Sequence, residues 1–117
     1  VAWRASIPGV HALQAALPVL AAAEDVHVVT VDEGSHAGSA PGDVVRYLAF
    51  HGVRGAASTV AADGREAGQA ILETASANNA DLLVMGAYAH SRLRQLILGG
   101  VTATVLRSAS LPLLLAH

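Results

Sequence analysis

Apolar positions along this chain follow two periods, one helical and one strand-like, and the alternation between them sets out the elements. Val10, Leu13, Leu17 and Leu20 recur at helical spacing and predict a helix that starts at Ser6 and Pro8 and runs to about Ala23. Pro18 lies inside that pattern and should kink the helix or loosen its last turn. Val26 to Val31 is a β-branched run of the kind found in buried strands. Asp32 to Gly42 is rich in Gly, Ser, Ala and Pro and reads as a loop. Asp43 can cap a short helix over Val44 to His51, which Gly52 ends.

Ala56 to Ala61 reads as a weaker strand near an edge. Asp63-x-x-Glu66 has the spacing of a capping box, with the aspartate in the cap role, and predicts a helix to about Asn78. Ala67, Ala70, Ile71 and Ala75 form its packing stripe. Leu82 to Met85 is the most apolar strand, and helical stretches follow over Ser91 to Leu98 and Val101 to Ser108. Leu111 to Leu115 closes the chain as a strand; Pro112 removes one ladder donor there and so predicts an edge position. Val1-Ala-Trp3 reads as the end of a strand whose beginning is missing.

Strands alternating with helices indicate a single α/β domain with a parallel sheet, helices on both faces and right-handed crossovers. Ligands bind such sheets beyond the carboxyl ends of strands, where the strand order reverses. The loops after Trp3, Val31 and Met85 are therefore the places to look.

Composition removes several functions. All seven cationic residues are arginine, so a Walker-type phosphate lysine and a Schiff-base enzyme are excluded, as is a receiver domain that needs its lysine. Net charge is -2 and aromatics are 3%, which argues against nucleic-acid binding. Hydrophobic residues reach 53%, yet no apolar stretch approaches a membrane span and no signal-peptide pattern opens the chain. Cysteine is absent, which removes disulfides and thiolate metal sites and fits a reducing cytoplasm.

The segment Asp81 to Thr102 carries the candidate chemistry. An apolar strand ends at Gly86, a loop follows, and Gly99-Gly100 precede a helix whose first amides are free to meet an anion. Thr102 adds a hydroxyl, and Ser91, Arg92 and Arg94 in the intervening segment can face an anionic ligand or simply form a cap and a solvated basic face. The six histidines show no metal-ligand spacing; His27 reads as a satisfied core or interfacial residue, and His90 alone lies in the candidate loop. Asp32-Glu33 can hold a metal or a ribose, or begin a solvated loop. No base and orienter are identifiable for Ser6 or Ser91, and no nucleophile elbow is present, so no catalytic residue is assigned.

The spacing Gly86-x-x-Ala89, nine residues, then Gly99-Gly100 resembles the nucleotide loop of the universal stress protein family. Asp81 to His117 resembles that family most, and the opening as far as Leu20 resembles its first strand and helix. The resemblance implies an open five-stranded parallel sheet in the order 3-2-1-4-5, Rossmann-like or adenine nucleotide alpha hydrolase-like. It also implies a homodimer through the last strand, Leu111 to Leu115, or a tandem partner domain, of which this chain would be one half. Val31, Met85, Gly86, Ala89, Gly99, Gly100, Val101 and Thr102 are the implied contacts with adenine, ribose or phosphate.

Three departures from the family pattern weaken that site. Arg4 stands where ATP-binding members carry an aspartate near the adenine. Ala89 replaces the second glycine, and a Cβ there costs roughly 1–2 kcal/mol if positive φ is required. Gly100 replaces a Ser or Thr and gives up a phosphate hydrogen bond worth roughly 0.5–1.5 kcal/mol. The expectation is a cytoplasmic stress-response domain with a degenerate ATP site, weakened or lost, and Mg²⁺ only with nucleotide. The alternatives are a dimerisation or scaffold module without nucleotide, and a weak ATP hydrolase using Thr102 or Asp32 to position water.

Overall fold

The computed structural model describes residues 1–32, 34, 40–88 and 100–117, and its strands pair in parallel. In chain order the elements are α1 (Ile7–Ala21), β1 (Val26–Asp32), α2 (Pro41–Phe50), β2 (Gly55–Ala61), α3 (Ala67–Ala77), β3 (Leu83–Gly86), α4 (Val101–Ser108) and β4 (Leu113–Ala116). β1 pairs with β2, Val26 opposite Gly55, and β3 pairs with β4, Leu83 opposite Leu113. Ala2 stands between the two pairs, bridged in parallel to Val29 on one side and Met85 on the other. Its amide donates to Val84 O, and the Trp3 amide donates to Val29 O, both at 2.8 Å.

Period-two alternation sorts the strand side chains onto two faces. Val26, Val28 and Val84 join Trp3, Leu13, Ala16 and Leu20 of the first segment and helix and Val44 and Leu48 of α2 in one core. Val29, Leu83 and Met85 turn the other way and pack with Ala2, Ile71 of α3 and Val105 of α4. The α/β layering expected from the sequence is present, with α1 and α2 on one face and α3 and α4 on the other.

Several local expectations change. The Asp63-x-x-Glu66 capping box does not form: Asp63 (φ +49) and Gly64 (φ +77) are the centre of a turn closed by the Arg65 amide on Ala62 O at 2.9 Å. Positive φ at both central residues marks a type I′ turn, for which Asp-Gly is a favoured pair. Glu66 occupies the N-cap position of α3 without a side-chain cap bond. α2 begins earlier than expected because Pro41 fits its first helical position, which leaves Asp43 in the first turn rather than at the cap. Pro112 precedes β4 and contributes only its carbonyl, which accepts from the Leu83 amide at 3.0 Å. α1 continues through Pro18, and its Ser6 hydroxyl caps the helix by accepting from the Gly9 amide at 3.1 Å. The helix expected over Ser91 to Leu98 lies outside the described residues.

Candidate functional site

Two chain ends meet where β3 finishes and α4 begins. After Gly86, Ala87 is buried and its amide still bonds Ala116 O of β4 at 2.8 Å. Tyr88 then turns into the left-handed region (φ +56), and its amide donates to Thr102 Oγ1 in a long hydrogen bond of 3.4 Å. Tyr88 at the end of β3 and Thr102 in the first turn of α4 thus lie side by side on the carboxyl rim. Val31, Met85 and Val101 belong to the apolar cluster on the α3 and α4 face of the sheet.

Each residue has a definite local role. Thr102 is only 5% exposed, so its hydroxyl is turned inward and already accepts one hydrogen bond. Gly100 precedes α4 in extended backbone (φ -85, ψ 172) that any residue adopts, and no side chain caps the helix. The first amides of α4 present the partial positive charge of a helix start toward the rim. Gly86 has a packing role in the described structure: a Cβ there would meet Gly9 N at 2.4 Å and Pro8 C at 2.6 Å. The close backbone approach expected at this glycine is made by the first turn of α1.

The seating of α4 depends on α3. A Cβ on Gly68 would lie 2.9 Å from Thr104 Cβ and 3.0 Å from Val101 O, so the two helices touch at a glycine. Thr104 Oγ1 donates to Glu66 Oε2 at 2.6 Å beside that contact. Asp32 lies at the same rim, but its carboxylate accepts from the Gly34 amide at 2.8 Å and so braces its own loop. Arg4 is exposed. Ala89, Gly99, Ser91, Arg92, Arg94, His90 and Glu33 lie outside the described residues.

Elsewhere, His27 is satisfied as expected, its ring nitrogens 2.8 Å from Asn78 Oδ1 and Ser58 Oγ. Sequence reasoning missed these two partners, because only the β1–β2 register and the end of α3 bring them together. A groove of about 370 Å³ lined by Leu72, Ser76, Asn79, Ser108 and Leu111 opens at the opposite, amino rim. Among the described residues no helix is long and apolar enough to cross a membrane, and no three His, Cys, Asp or Glu residues group to hold a metal.

Known proteins resemble this chain at two levels. Universal stress protein Slr1230 of Synechocystis sp. is 50% identical over 46 residues, which are 39% of this chain and 16% of that protein, so the chain matches a small part of its length. A universal stress protein family member from Burkholderia pseudomallei superposes with a TM-score of 0.72 at 25% identity, covering 98% of this chain and 91% of the other. One from Archaeoglobus fulgidus gives 0.76 at 20%, covering 99% and 95%. A universal stress protein in complex with cAMP gives 0.73 at 23%, covering 100% and 93%. The universal stress protein family model matches residues 1–117, and with the parallel layers and the β3–α4 rim described above, the chain belongs to that family.

Proposed function

We propose that this domain acts in the stress response by binding an adenine nucleotide weakly at the carboxyl rim, in the cup between β3 and α4. The observation that carries the reading is the Tyr88–Thr102 contact, which brings the end of a buried strand beside the start of a helix. Free amides at such a start suit a phosphate. The fold neighbour in complex with cAMP supports an adenine nucleotide as the ligand class. Val31, Met85 and Val101 would line the base and ribose side, with Gly86, Ala89, Gly99, Gly100 and Thr102 around the phosphates. Mg²⁺ would enter only with ATP.

The same reading takes Ala2 and its neighbours as the central strand, giving the spatial order β2, β1, the Ala2 segment, β3, β4, which is the 3-2-1-4-5 order of the resemblance; its support is the pair of bridges on either side of Ala2. It takes the cytoplasm as the location and β4 with Leu111 as the homodimer edge, since β4 pairs with β3 alone among the described residues. A dimer–monomer equilibrium in light scattering at micromolar protein is expected; a strictly monomeric species would remove the dimer.

A scaffold module without nucleotide is the second reading. Arg4 at the adenine-side position and the inward hydroxyl of Thr102 favour it. Thermal unfolding with ATP and Mg²⁺ separates the two, because a ligand that binds only the native state must raise the midpoint. A rise that grows with nucleotide concentration supports binding, and no rise at millimolar ATP removes it.

A further inference from the structure

Three side chains on the α3 face of the sheet form an array unrelated to the rim. In the β1–β2 ladder His27 stands opposite Ala56 and Val29 opposite Ser58, so His27 and Ser58 share one face, two residues apart along the strands. Ser58 Oγ lies 2.8 Å from His27 Nε2, and Asn78 Oδ1, at the end of α3, lies 2.8 Å from His27 Nδ1. Asn78 is itself fixed, because its Nδ2 donates to Thr74 O at 2.8 Å. That bond settles which end of the amide faces the imidazole. An amide oxygen accepts only, so His27 Nδ1 carries the proton and, in the neutral ring, Nε2 offers its lone pair to the Ser58 hydroxyl.

We propose that Ser58, His27 and Asn78 are a nucleophile, a general base and its positioning residue, and that the array accepts the acyl group of an activated ester. The three roles and their distances follow the nucleophile–histidine–orienter logic, with asparagine as orienter as in cysteine–histidine–asparagine sites and serine in place of the cysteine. Ser58 and His27 are half-buried, Asn78 is exposed, and Ala56, on the same face, is small and exposed, so a small acyl compound reaches the hydroxyl. Ser58 Oγ attacks the carbonyl carbon while its proton passes to His27 Nε2. The imidazolium keeps its Nδ1 proton on Asn78 Oδ1. Collapse of the tetrahedral adduct expels the alcohol, which takes the Nε2 proton, and leaves acyl-Ser58. Water then attacks the acyl carbon through the same base, releasing the acid and restoring the hydroxyl, so ester and water become acid and alcohol.

The test uses a fluorophosphonate probe with peptide mapping, and p-nitrophenyl acetate for turnover. Label on Ser58, its loss in Ser58→Ala, and a slowing of about a hundredfold in His27→Gln are expected. Asn78→Ala should slow labelling, and Asn78→Asp, which keeps an acceptor, should restore it; a purely structural triad would move the melting midpoint without moving the labelling rate. Equal labelling of the parent and Ser58→Ala would overturn the proposal. Because the chain has no cysteine, Ser58→Cys carries a unique thiol. Its alkylation by iodoacetamide should slow about tenfold or more when His27→Gln is added. Equal alkylation rates would overturn the proposal even if Ser58→Ala failed to fold.

Discussion

A Cβ on Gly86 would stand 2.4 Å from the backbone nitrogen of Gly9. The glycine that ends β3 therefore lets α1 seat its first turn directly against the strand. Gly86→Ala should destabilise the domain by about 3 kcal/mol, because the colliding atoms are backbone and have no rotamer to escape into. Urea unfolding measures this, and a loss under about 0.5 kcal/mol would contradict the packing role. Reduced nucleotide binding in that variant would reflect a displaced helix, so it is a poor probe of ligand contact.

The second glycine contact seats α4. Gly68→Ala should cost about 1–3 kcal/mol, since its methyl would enter the space of Thr104 Cβ and Val101 O. Thr104→Val keeps the shape and removes the bond to Glu66, whose exposed carboxylate regains water, and the long 3.4 Å bond from Arg107, so it should cost no more than about 1 kcal/mol. Chemical denaturation of both variants gives the ordering, and a larger loss for Thr104→Val would reverse it.

Gly100→Ser places a cap on a helix that has none. The extended backbone at this position accepts a serine without strain, and the gain should be a few tenths of a kcal/mol, roughly 0.3, without ligand. Combined with Ala89→Gly it should tighten ATP several-fold, read by titration calorimetry. Unchanged affinity in the double variant would contradict the assigned phosphate site.

The amino group of Val1 donates to His27 O at 2.6 Å, and burial pushes its pKa down from 8.0 to about 6. The unfolded chain then binds the proton more tightly than the folded one. Stability of the chain as it stands should be full above pH 8 and fall by up to about 2 kcal/mol as pH drops to 6. An N-acetylated chain has no such proton, so its stability curve should lack this slope. Equal slopes in the two chains would contradict the desolvation.

The layers were legible because long apolar runs and helical stripes depend on burial alone: Val26 to Val31, the Ile71 stripe and Val101 to Ser108 appear as read. Starts were less legible, since a cap and a turn use the same residues. Asp63 looked like a cap, yet its neighbour Gly64 admits a tight turn, and the helix waits until Ala67. In the site, the meeting of the β3 end with the α4 start was implied by the family resemblance of the glycine spacing. The partner of Gly86 did not, because Gly9 lies 77 positions away in the chain. Likewise His27, Ser58 and Asn78 come together only through strand register, which no local pattern encodes.

The most direct test of the rim site is a titration of the isotope-labelled domain with ATP and Mg²⁺, following backbone amide resonances. The account predicts that Val31, Gly86, Tyr88, Gly100, Val101 and Thr102 shift together and saturate with one dissociation constant. Shifts confined to the amino-rim groove around Ser76, Asn79 and Ser108, or none at millimolar nucleotide, would contradict it.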